Sequence, residues 1–240
     1  MRNVELYFEY INKYPDKFTN ADRSGTELVC DKAGIMEIEE IMKRRMRENG
    51  KPEEWAEIGV VYQDCYITIL RDAVLFKPHN TPGTYIRQFN AGSVCGVVIL
   101  PICGDEVCLL RIFRHSLRRY VYELPRGFGN LGETEEQNAL REFNEEVGGT
   151  VRSIHCLGYV YENTGISDSK TALFLAEIER ETKPSEPDES IDKVFFMHIP
   201  EFLQMISDGR VEDGFTLAAV SRALVTGVIK LKLLLTNHIK

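Results

Sequence analysis

Apolar side chains near the start of the chain recur every three or four residues, a spacing typical of amphipathic helices. Within residues 4–46, these positions are Tyr7, Phe8, Ile11, Ile35, Ile38, Ile41 and Met42. The sequence Asn49-Gly50-Lys51-Pro52 ends the pattern, because glycine and proline stop helices and favour loops. We therefore predict a helical extension over residues 1–54.

After residue 54 the pattern changes to segments rich in β-branched and aromatic residues, which predicts strands. Three such segments come first, at residues 57–62, 66–76 and 84–90, and turn sequences separate them. Further strands are predicted at residues 94–101, 106–113, 120–124, 154–161, 170–178 and 193–198. Helical patterns occupy residues 134–147, 200–207 and 215–235. Strands and helices mixed in this way indicate an α+β protein.

The predicted helix at residues 134–147 carries a concentration of acid. Thr134 and Gln137 have the form of a capping box, and Gly148 stands at the usual C-terminal stop. At about 100° per residue, apolar and acidic side chains fall on opposite sides. The apolar side carries Leu140, Phe143 and Val147, and the acidic side carries Glu142, Glu145 and Glu146. The acidic side is either a solvated face or a divalent metal site, since carboxylate oxygens suit Mg²⁺ or Mn²⁺.

The residues around this helix resemble the Nudix box, G-x5-E-x7-R-E-U-x-E-E-x-G-U, in which U is a bulky apolar residue. Gly127 is followed by five residues and Glu133, then by seven residues and the string Arg-Glu-Phe-Asn-Glu-Glu-Val-Gly, which ends at Gly148. Every fixed letter matches up to that glycine, and Gly149 stands where the pattern has its last bulky residue. Residues 127–149 are therefore similar to the box of Nudix hydrolases.

The resemblance implies a Mg²⁺ cofactor, with Mn²⁺ as an alternative, and a small-molecule nucleoside diphosphate substrate. The implied metal ligands are the carboxylates of Glu133, Glu142, Glu145 and Glu146 and the backbone carbonyl of Arg126. Arg141 is implied to hold the glutamates in place through an ion pair and to belong, with Glu142, Glu145 and Glu146, to the catalytic set. In this family water is added to a phosphorus atom, and metal ions neutralise the developing charge.

The residues that flank the box indicate which group of Nudix hydrolases the chain is most similar to. Residues 110–115 and 122–127 are similar to the ADP-ribose pyrophosphatase group, with Arg114 at the position of that group's arginine. Ile112 and Arg126 replace the usual Gln and Ala of the group. The residues that we assign to substrate binding are Arg114, Arg87, Arg111, Glu123 and Tyr62. Residues 163–168 lack the proline that the group usually has there, so nucleotide sugars and other dinucleotides stay open as substrates.

A general base is expected on a loop, within hydrogen-bond reach of the attacking water. The resemblance favours Glu189, which lies in the loop before the predicted strand at residues 193–198. The alternatives are the carboxylates of Asp188, Glu186, Glu162 and Asp168.

The resemblance implies a Nudix-type α/β/α sandwich with a mixed β-sheet, preceded by an antiparallel β-strand region and N-terminal helices. It covers about residues 55–229, so we predict a helical extension at residues 1–54 and a Nudix hydrolase domain at residues 55–240. In the ADP-ribose pyrophosphatase group, the strands that correspond to residues 57–90 help to form a homodimer, which we expect here as well.

Bulk properties argue against several other classes. The net charge is −8 at pH 7, whereas nucleic-acid binders usually carry a basic face, so we expect no nucleic-acid partner. The six cysteines form no C-x-x-C pair, which fits free thiols in a reducing compartment. The first residues lack the apolar segment of a secretion signal, and the apolar residues 223–235 are too few to span a membrane. We expect a cytoplasmic protein with no membrane partner.

The predicted function is Mg²⁺-dependent hydrolysis of the diphosphate linkage of ADP-ribose, giving AMP and ribose 5-phosphate, or of a related nucleotide sugar. One alternative is a non-catalytic sensor that binds a nucleotide and signals through the helices before residue 55, which the resemblance does not explain. Another is a Nudix hydrolase that acts on NADH or oxidised nucleotides.

Overall fold

The computed structural model describes residues 4–20, 25–90, 94–184 and 190–229. The chain divides into two compact units. The first contains Met1–Ser93 together with Asn163–Asp168, and the second contains Val94–Glu162 and Ser169–Lys240. The domain boundary that we predicted between residues 54 and 55 stays a prediction.

The first unit joins two helices to an antiparallel sheet. Its elements are α1 (Val4–Lys13), a 3₁₀ turn (Pro15–Phe18), β1 (Glu27–Val29), α2 (Lys32–Glu48), a second 3₁₀ turn (Glu53–Ala56), β2 (Gly59–Gln63), β3 (Thr68–Phe76) and β4 (Thr81–Phe89). Strand β4 pairs along the whole of β3, and β1 and β2 pair with the two halves of β3. Apolar residues of α1 and α2, among them Tyr7 and Ile35, share a buried cluster with Leu70 of β3.

Strand β1 corrects the expectation of helical pieces throughout residues 4–46. It spans three residues, too few for a period-two pattern to be read from the sequence. Its place is set by pairing with β3 and by Asn20, whose side chain accepts from Leu28 N at 2.7 Å and donates to Leu28 O at 2.9 Å. The pairing with β3 joins residues that are distant in sequence, so local propensity does not predict it.

A buried carboxylate ties α1 to the sheet of the first unit. Asp72 on β3 is 3% exposed and accepts hydrogen bonds from the Tyr7 hydroxyl at 2.5 Å and from Arg87 Nε at 2.6 Å. The Arg87 guanidinium carbon lies 4.7 Å from the centre of the Phe18 ring. Burial, and then the neighbouring Asp72 charge, raise the pKa of Tyr7 well above its ordinary value. The tyrosine therefore stays protonated near neutral pH and remains a donor to Asp72.

The second unit contains a seven-stranded mixed sheet. Its elements are β5 (Gly96–Cys103), β6 (Glu106–Arg114), β7 (Arg119–Glu123), β8 (Arg126–Gly127), α3 (Glu135–Glu146), β9 (Val151–Tyr161), β10 (Lys170–Ile178), β11 (Ile191–His198), α4 (Ile199–Ser207) and α5 (Gly214–Val225). The central order is β11-β6-β5-β10-β9, with β7 paired to β6 and β8 paired to β5. Strands β5 and β10 are parallel, and the other pairs are antiparallel.

Helices pack on both faces of this sheet. Successive side chains of a strand point to opposite faces, so a strand with consecutive apolar residues has an apolar surface on each face. Val98 and Leu100 of β5 join a buried cluster that includes Phe202 of α4. Val97 and Ile99 of the same strand join the second cluster, which includes residues of α3. The predicted α+β class, with a mixed sheet in an α/β/α sandwich, is confirmed.

Helix α3 begins with the predicted capping box. Gln137 N donates to Thr134 Oγ1 at 3.1 Å, and Thr134 N donates to Gln137 Oε1 at 2.8 Å. Gly148 follows the helix with φ at +69°, a left-handed conformation that glycine adopts at little cost. The helix is therefore bounded by local sequence at both ends.

Thr134→Ala is expected to lower the free energy of unfolding by about 1 kcal/mol, the usual effect of losing an N-cap side chain. Urea denaturation followed by circular dichroism measures this change. Thr134→Ser keeps the hydroxyl and is the matched control, so it should retain most of the stability. Equal losses in the two variants would show that the hydroxyl does not cap the helix.

The last helix is shorter than predicted. Helix α5 ends at Val225 instead of continuing to residue 235, and Gly227 follows with φ at +76°. The predicted residues 230–235 lie outside the described part of the chain. Within the described ranges, no helix is long and apolar enough to cross a membrane.

Candidate active site around the acidic helix

Four glutamates and an arginine meet where the loop after β8 reaches α3. Arg141 Nη1 donates to Glu142 Oε1 at 2.8 Å and to Glu145 Oε2 at 2.9 Å. Arg141 Nε donates to Glu133 Oε2 at 3.2 Å. Arg141 Nη2 also donates to Phe128 O at 2.9 Å, which ties the loop to the helix. One side chain therefore pairs with three carboxylates and orders the preceding loop.

The remaining glutamate contacts the start of this loop. Glu146 Oε2 accepts a hydrogen bond from Arg126 N at 2.9 Å. The next residue, Gly127, lies against Glu142 so closely that a Cβ at this position would overlap the Glu142 carboxyl group. Glycine at residue 127 therefore lets the backbone of β8 approach the acidic side of α3.

The acidic side of α3 is largely covered, in contrast to a solvated face. Glu142 and Glu146 are 9% and 7% exposed, whereas Leu140 is 36% exposed. The helical spacing predicts that Leu140 packs against the sheet with Phe143 and Val147, and this prediction is wrong. The reason is that β8 and its loop cover the acidic side, and Phe143 and Val147 fill the sheet-facing cluster without Leu140.

The Arg141 charge offsets the repulsion among these acids. Partial burial by itself lowers the pKa of Arg141, but hydrogen bonds with Glu133, Glu145 and Glu142 outweigh burial and raise the pKa above its ordinary value. Arg141 is consequently positively charged near neutral pH. Without the Arg141 charge, the glutamates on neighbouring turns of α3 would repel one another.

The donor set of this site suits a hard divalent cation. Every sequence-predicted metal ligand offers oxygen: the four glutamates through their carboxylates, and Arg126 through its backbone carbonyl. Oxygen ligands suit Mg²⁺. Within the residues that the structure describes, no three acidic, histidine or cysteine side chains converge as a metal-holding group. Three of the carboxylates instead surround Arg141. Binding of a cation by several of them requires carboxylate oxygens to leave Arg141.

Three other sequence-predicted residues meet beside the glutamates. Glu123, which is 2% exposed, accepts hydrogen bonds from Arg114 Nε at 2.9 Å and from Arg126 Nε at 3.0 Å. The hydrogen bond with Glu123 raises the pKa of Arg114 above its ordinary value. Two guanidinium groups are therefore held in place by one buried carboxylate.

The other residues that we assigned to substrate binding each have different partners. Arg111 pairs with Asp192 on β11, and its guanidinium carbon lies 4.1 Å from the centre of the Tyr120 ring. Arg87 and Tyr62 belong to the first unit. Arg87 is occupied by Asp72, and Tyr62 is half-exposed and donates to an aspartate two residues away at 2.8 Å. Their substrate roles stay predictions.

Of the five candidate general bases, the structure describes Glu162 and Asp168. Glu189 lies outside the described residues, as do Asp188 and Glu186. Glu162 follows the end of β9 and is exposed. Asp168 belongs to the first unit, where one carboxylate oxygen pairs with Lys17 and the other is buried without a hydrogen-bond partner in the described part of the chain.

A cavity of about 260 Å³ lies next to Arg126. Its lining residues are Arg126, Val160, Tyr161, Glu162, Asp213, Gly214 and Phe215. Asp213 and Phe215 lie far along the chain from Gly127, and no sequence motif connects them to the acidic segment. The local signal at Asp213 indicates only a helix cap, since its side chain accepts from Thr216 N at 2.8 Å.

Comparisons with known proteins identify relatives of this chain. Residues 94–221 match the family model described as the NUDIX domain. An ADP-ribose pyrophosphatase of Bacillus subtilis (strain 168) is 28% identical over 128 residues, which cover 52% of this chain and 69% of that protein. An uncharacterized Nudix hydrolase of Schizosaccharomyces pombe is 27% identical over 108 residues, covering 44% and 52%.

A solved structure shares the fold. The crystal structure of an ADP compounds hydrolase superposes with a TM-score of 0.63 and covers 71% of this chain and 91% of that chain. The sequence identity is 18%, so this likeness concerns the fold alone.

Proposed function

Because this chain belongs to the NUDIX domain family, and is a pyrophosphohydrolase of that family that acts on nucleoside diphosphate derivatives, we propose that its substrate is ADP-ribose or a related nucleotide sugar. ADP-ribose would be cleaved at the diphosphate linkage to AMP and ribose 5-phosphate. The similarity to the Bacillus subtilis ADP-ribose pyrophosphatase supports this choice of substrate.

The observation that carries the proposal is the group of carboxylates around Arg141. Glu133, Glu142 and Glu145 each pair with this arginine, and Glu146 holds the backbone of Arg126. We propose that the four glutamates and the Arg126 carbonyl hold Mg²⁺, with Mn²⁺ as a substitute. When bound, the cation supplies charge to neutralise the phosphate oxygens and lowers the pKa of the attacking water.

The residues around that position have separate tasks in the proposal. Arg141 orients the carboxylates and limits their mutual repulsion. Arg114, fixed by the buried Glu123, would donate to a phosphate oxygen, because a guanidinium matches phosphate geometry. Gly127 allows the main chain to approach Glu142, which brings the Arg126 carbonyl into the same region. A carboxylate base would accept the proton of the water, and Glu189 is our candidate for it.

A product-resolved substrate panel tests the proposal. Purified protein with Mg²⁺ should release AMP and ribose 5-phosphate from ADP-ribose, with kcat/KM at least about tenfold higher than for NADH or an oxidised nucleoside triphosphate. A chelator should abolish turnover, and added Mg²⁺ or Mn²⁺ should restore it. Preferential turnover of NADH or the oxidised nucleotide would contradict the substrate. Tight binding of the panel without any turnover would favour the sensor.

The oligomeric state and the compartment are further parts of the proposal. We propose a homodimer, on the basis of the similarity to the ADP-ribose pyrophosphatase group. We also propose a cytoplasmic location, because the six cysteines are free thiols, which fits a reducing compartment. Light scattering coupled to size-exclusion chromatography distinguishes a dimer from a monomer of 27.5 kDa.

A further inference from the structure

The cavity next to Arg126 has no role in the function proposed so far. Its volume of about 260 Å³ is below the roughly 300–1,000 Å³ of pockets that enclose a whole drug-sized ligand, so it suits one ring of a larger molecule. Arg126, in its lining, immediately precedes Gly127, which lies against Glu142. A ligand with its diphosphate at the glutamates can therefore extend one end into the cavity.

The Arg126 side chain is held at the cavity by Glu123 and Asp213 and keeps donors for a ligand. Its Nε donates to Glu123 at 3.0 Å, and its Nη2 lies 3.5 Å from Asp213 Oδ1. The guanidinium carbon lies 4.9 Å from the centre of the Phe215 ring. Among the described residues, Arg126 Nη1 has no hydrogen-bond partner, so its two hydrogens are available.

Two carboxylates complete the polar lining. Asp213 is fixed, because its Oδ2 accepts from Thr216 N at 2.8 Å and from Thr216 Oγ1 at 2.7 Å. Thr216 Oγ1 in turn accepts from Leu124 N at 3.0 Å, which anchors this end of α5 to the segment before β8. Glu162 also lines the cavity, is exposed, and pairs with no described residue. Its two oxygens are free to accept hydrogen bonds from a ligand.

This lining favours a sugar over a nucleobase. Carboxylates accept from adjacent hydroxyl groups, and a guanidinium donates to ring and hydroxyl oxygens. A base stacked on Phe215 would compete with Arg126, whose guanidinium already lies over that ring. Val160, which packs with Phe215 in the same apolar cluster, provides apolar contact for the C–H groups of a sugar. The cavity therefore combines acceptors, donors and apolar surface within the space of one ring.

We propose that this cavity is the specificity site for the sugar on the far side of the diphosphate from the nucleoside, with Glu162 and Arg126 contacting its hydroxyl groups. This inference rests on the function proposed above. Glu162, one of the alternatives to Glu189 as the general base, is then a sugar-binding residue instead. The cavity gives the enzyme its preference for nucleotide sugars, since contacts to a remote group of a substrate contribute to the rate as well as to affinity.

The test compares ADP-ribose with methyl-ADP, in which a methyl group replaces the terminal ribose. For the wild-type protein with Mg²⁺, kcat/KM should be at least about tenfold higher for ADP-ribose. Glu162→Gln should lower kcat/KM for ADP-ribose by about tenfold and change that for methyl-ADP by less than about twofold. Glu201→Gln, the same change at an exposed residue of α4, is the control and should alter neither.

Each other outcome has a defined meaning. Equal losses of kcat for both compounds in Glu162→Gln would overturn the sugar site and support Glu162 as a group that acts at the reacting phosphate. No loss with ADP-ribose would also overturn the sugar site. If the wild-type protein hydrolyses neither compound, the proposed function fails. Calorimetric titration of the same two compounds in Mg²⁺ then tests the sugar site. Tighter binding of ADP-ribose than of methyl-ADP, lost in Glu162→Gln, would support the site. Equal affinities for the two compounds, or no binding of either, would overturn it.

Discussion

Glu146→Gln is expected to lower kcat for ADP-ribose by about 10²–10³-fold, which corresponds to about 3–4 kcal/mol of transition-state stabilisation. Glutamine keeps the size of the side chain and an oxygen that accepts from Arg126 N, as Glu146 does at 2.9 Å. The substitution therefore removes the negative charge offered to a cation with little change in the local hydrogen bond. Stability should change by less than about 1 kcal/mol.

Steady-state kinetics over a range of Mg²⁺ concentrations measures the effect of Glu146→Gln, and urea denaturation measures its stability. Glu136→Gln removes one charge from the exposed first turn of the same helix and is the matched control, with kcat expected within about twofold of wild type. If Glu146→Gln retained more than about a tenth of the wild-type kcat, Glu146 would not be a catalytic metal ligand.

Asp72→Ala is expected to destabilise the protein by about 3–5 kcal/mol, the usual cost of removing one partner of a buried ion pair. The Asp72 side chain is 4% exposed and that of Arg87 is 19% exposed. Without Asp72, the Arg87 guanidinium stays largely buried beside Phe18 with no carboxylate, and the Tyr7 hydroxyl loses its acceptor. The loss arises mainly from these stranded groups and not from the aspartate itself.

Urea unfolding monitored by far-ultraviolet circular dichroism measures the Asp72 effect. Asp16→Ala, at an exposed residue of the same unit, is the control and should shift stability by less than about 0.5 kcal/mol. The double variant Asp72→Ala with Arg87→Leu should recover part of the loss, because it removes the stranded charge. A loss of less than about 1 kcal/mol in Asp72→Ala would mean that water or another group compensates Arg87.

The acidic helix was predictable because its signals are local. The capping pair Thr134 and Gln137 and the glycine at residue 148 lie within a few residues of the ends that they specify. Spacings of three and four residues also place Glu142, Glu145 and Glu146 on one side of any α-helix. The resemblance to the Nudix box depends on one contiguous segment, so it can be recognised without a tertiary structure.

The burial of that acidic side was not predictable from the helix alone. A helical wheel assumes that a helix packs against one surface. Helix α3 packs against two: Phe143 contacts the sheet, and Glu142 and Glu146 contact β8. The second surface comes from residues before the helix that fold back through the glycine at residue 127. The wheel therefore misplaced Leu140, which is exposed.

The sequence by itself determined the α+β class, the helix that carries the acids, and the chemistry available to them, since each depends on spacing along a short segment. Only the tertiary structure decided the partners of charged groups that contact residues distant in the chain. In the folded first unit, Arg87 forms an ion pair with the buried Asp72, and in the second unit Arg126 lies next to Asp213 and Phe215. Ion pairs and cavities join residues far apart in the chain, and their positions follow from how strands and helices pack, which no local pattern encodes.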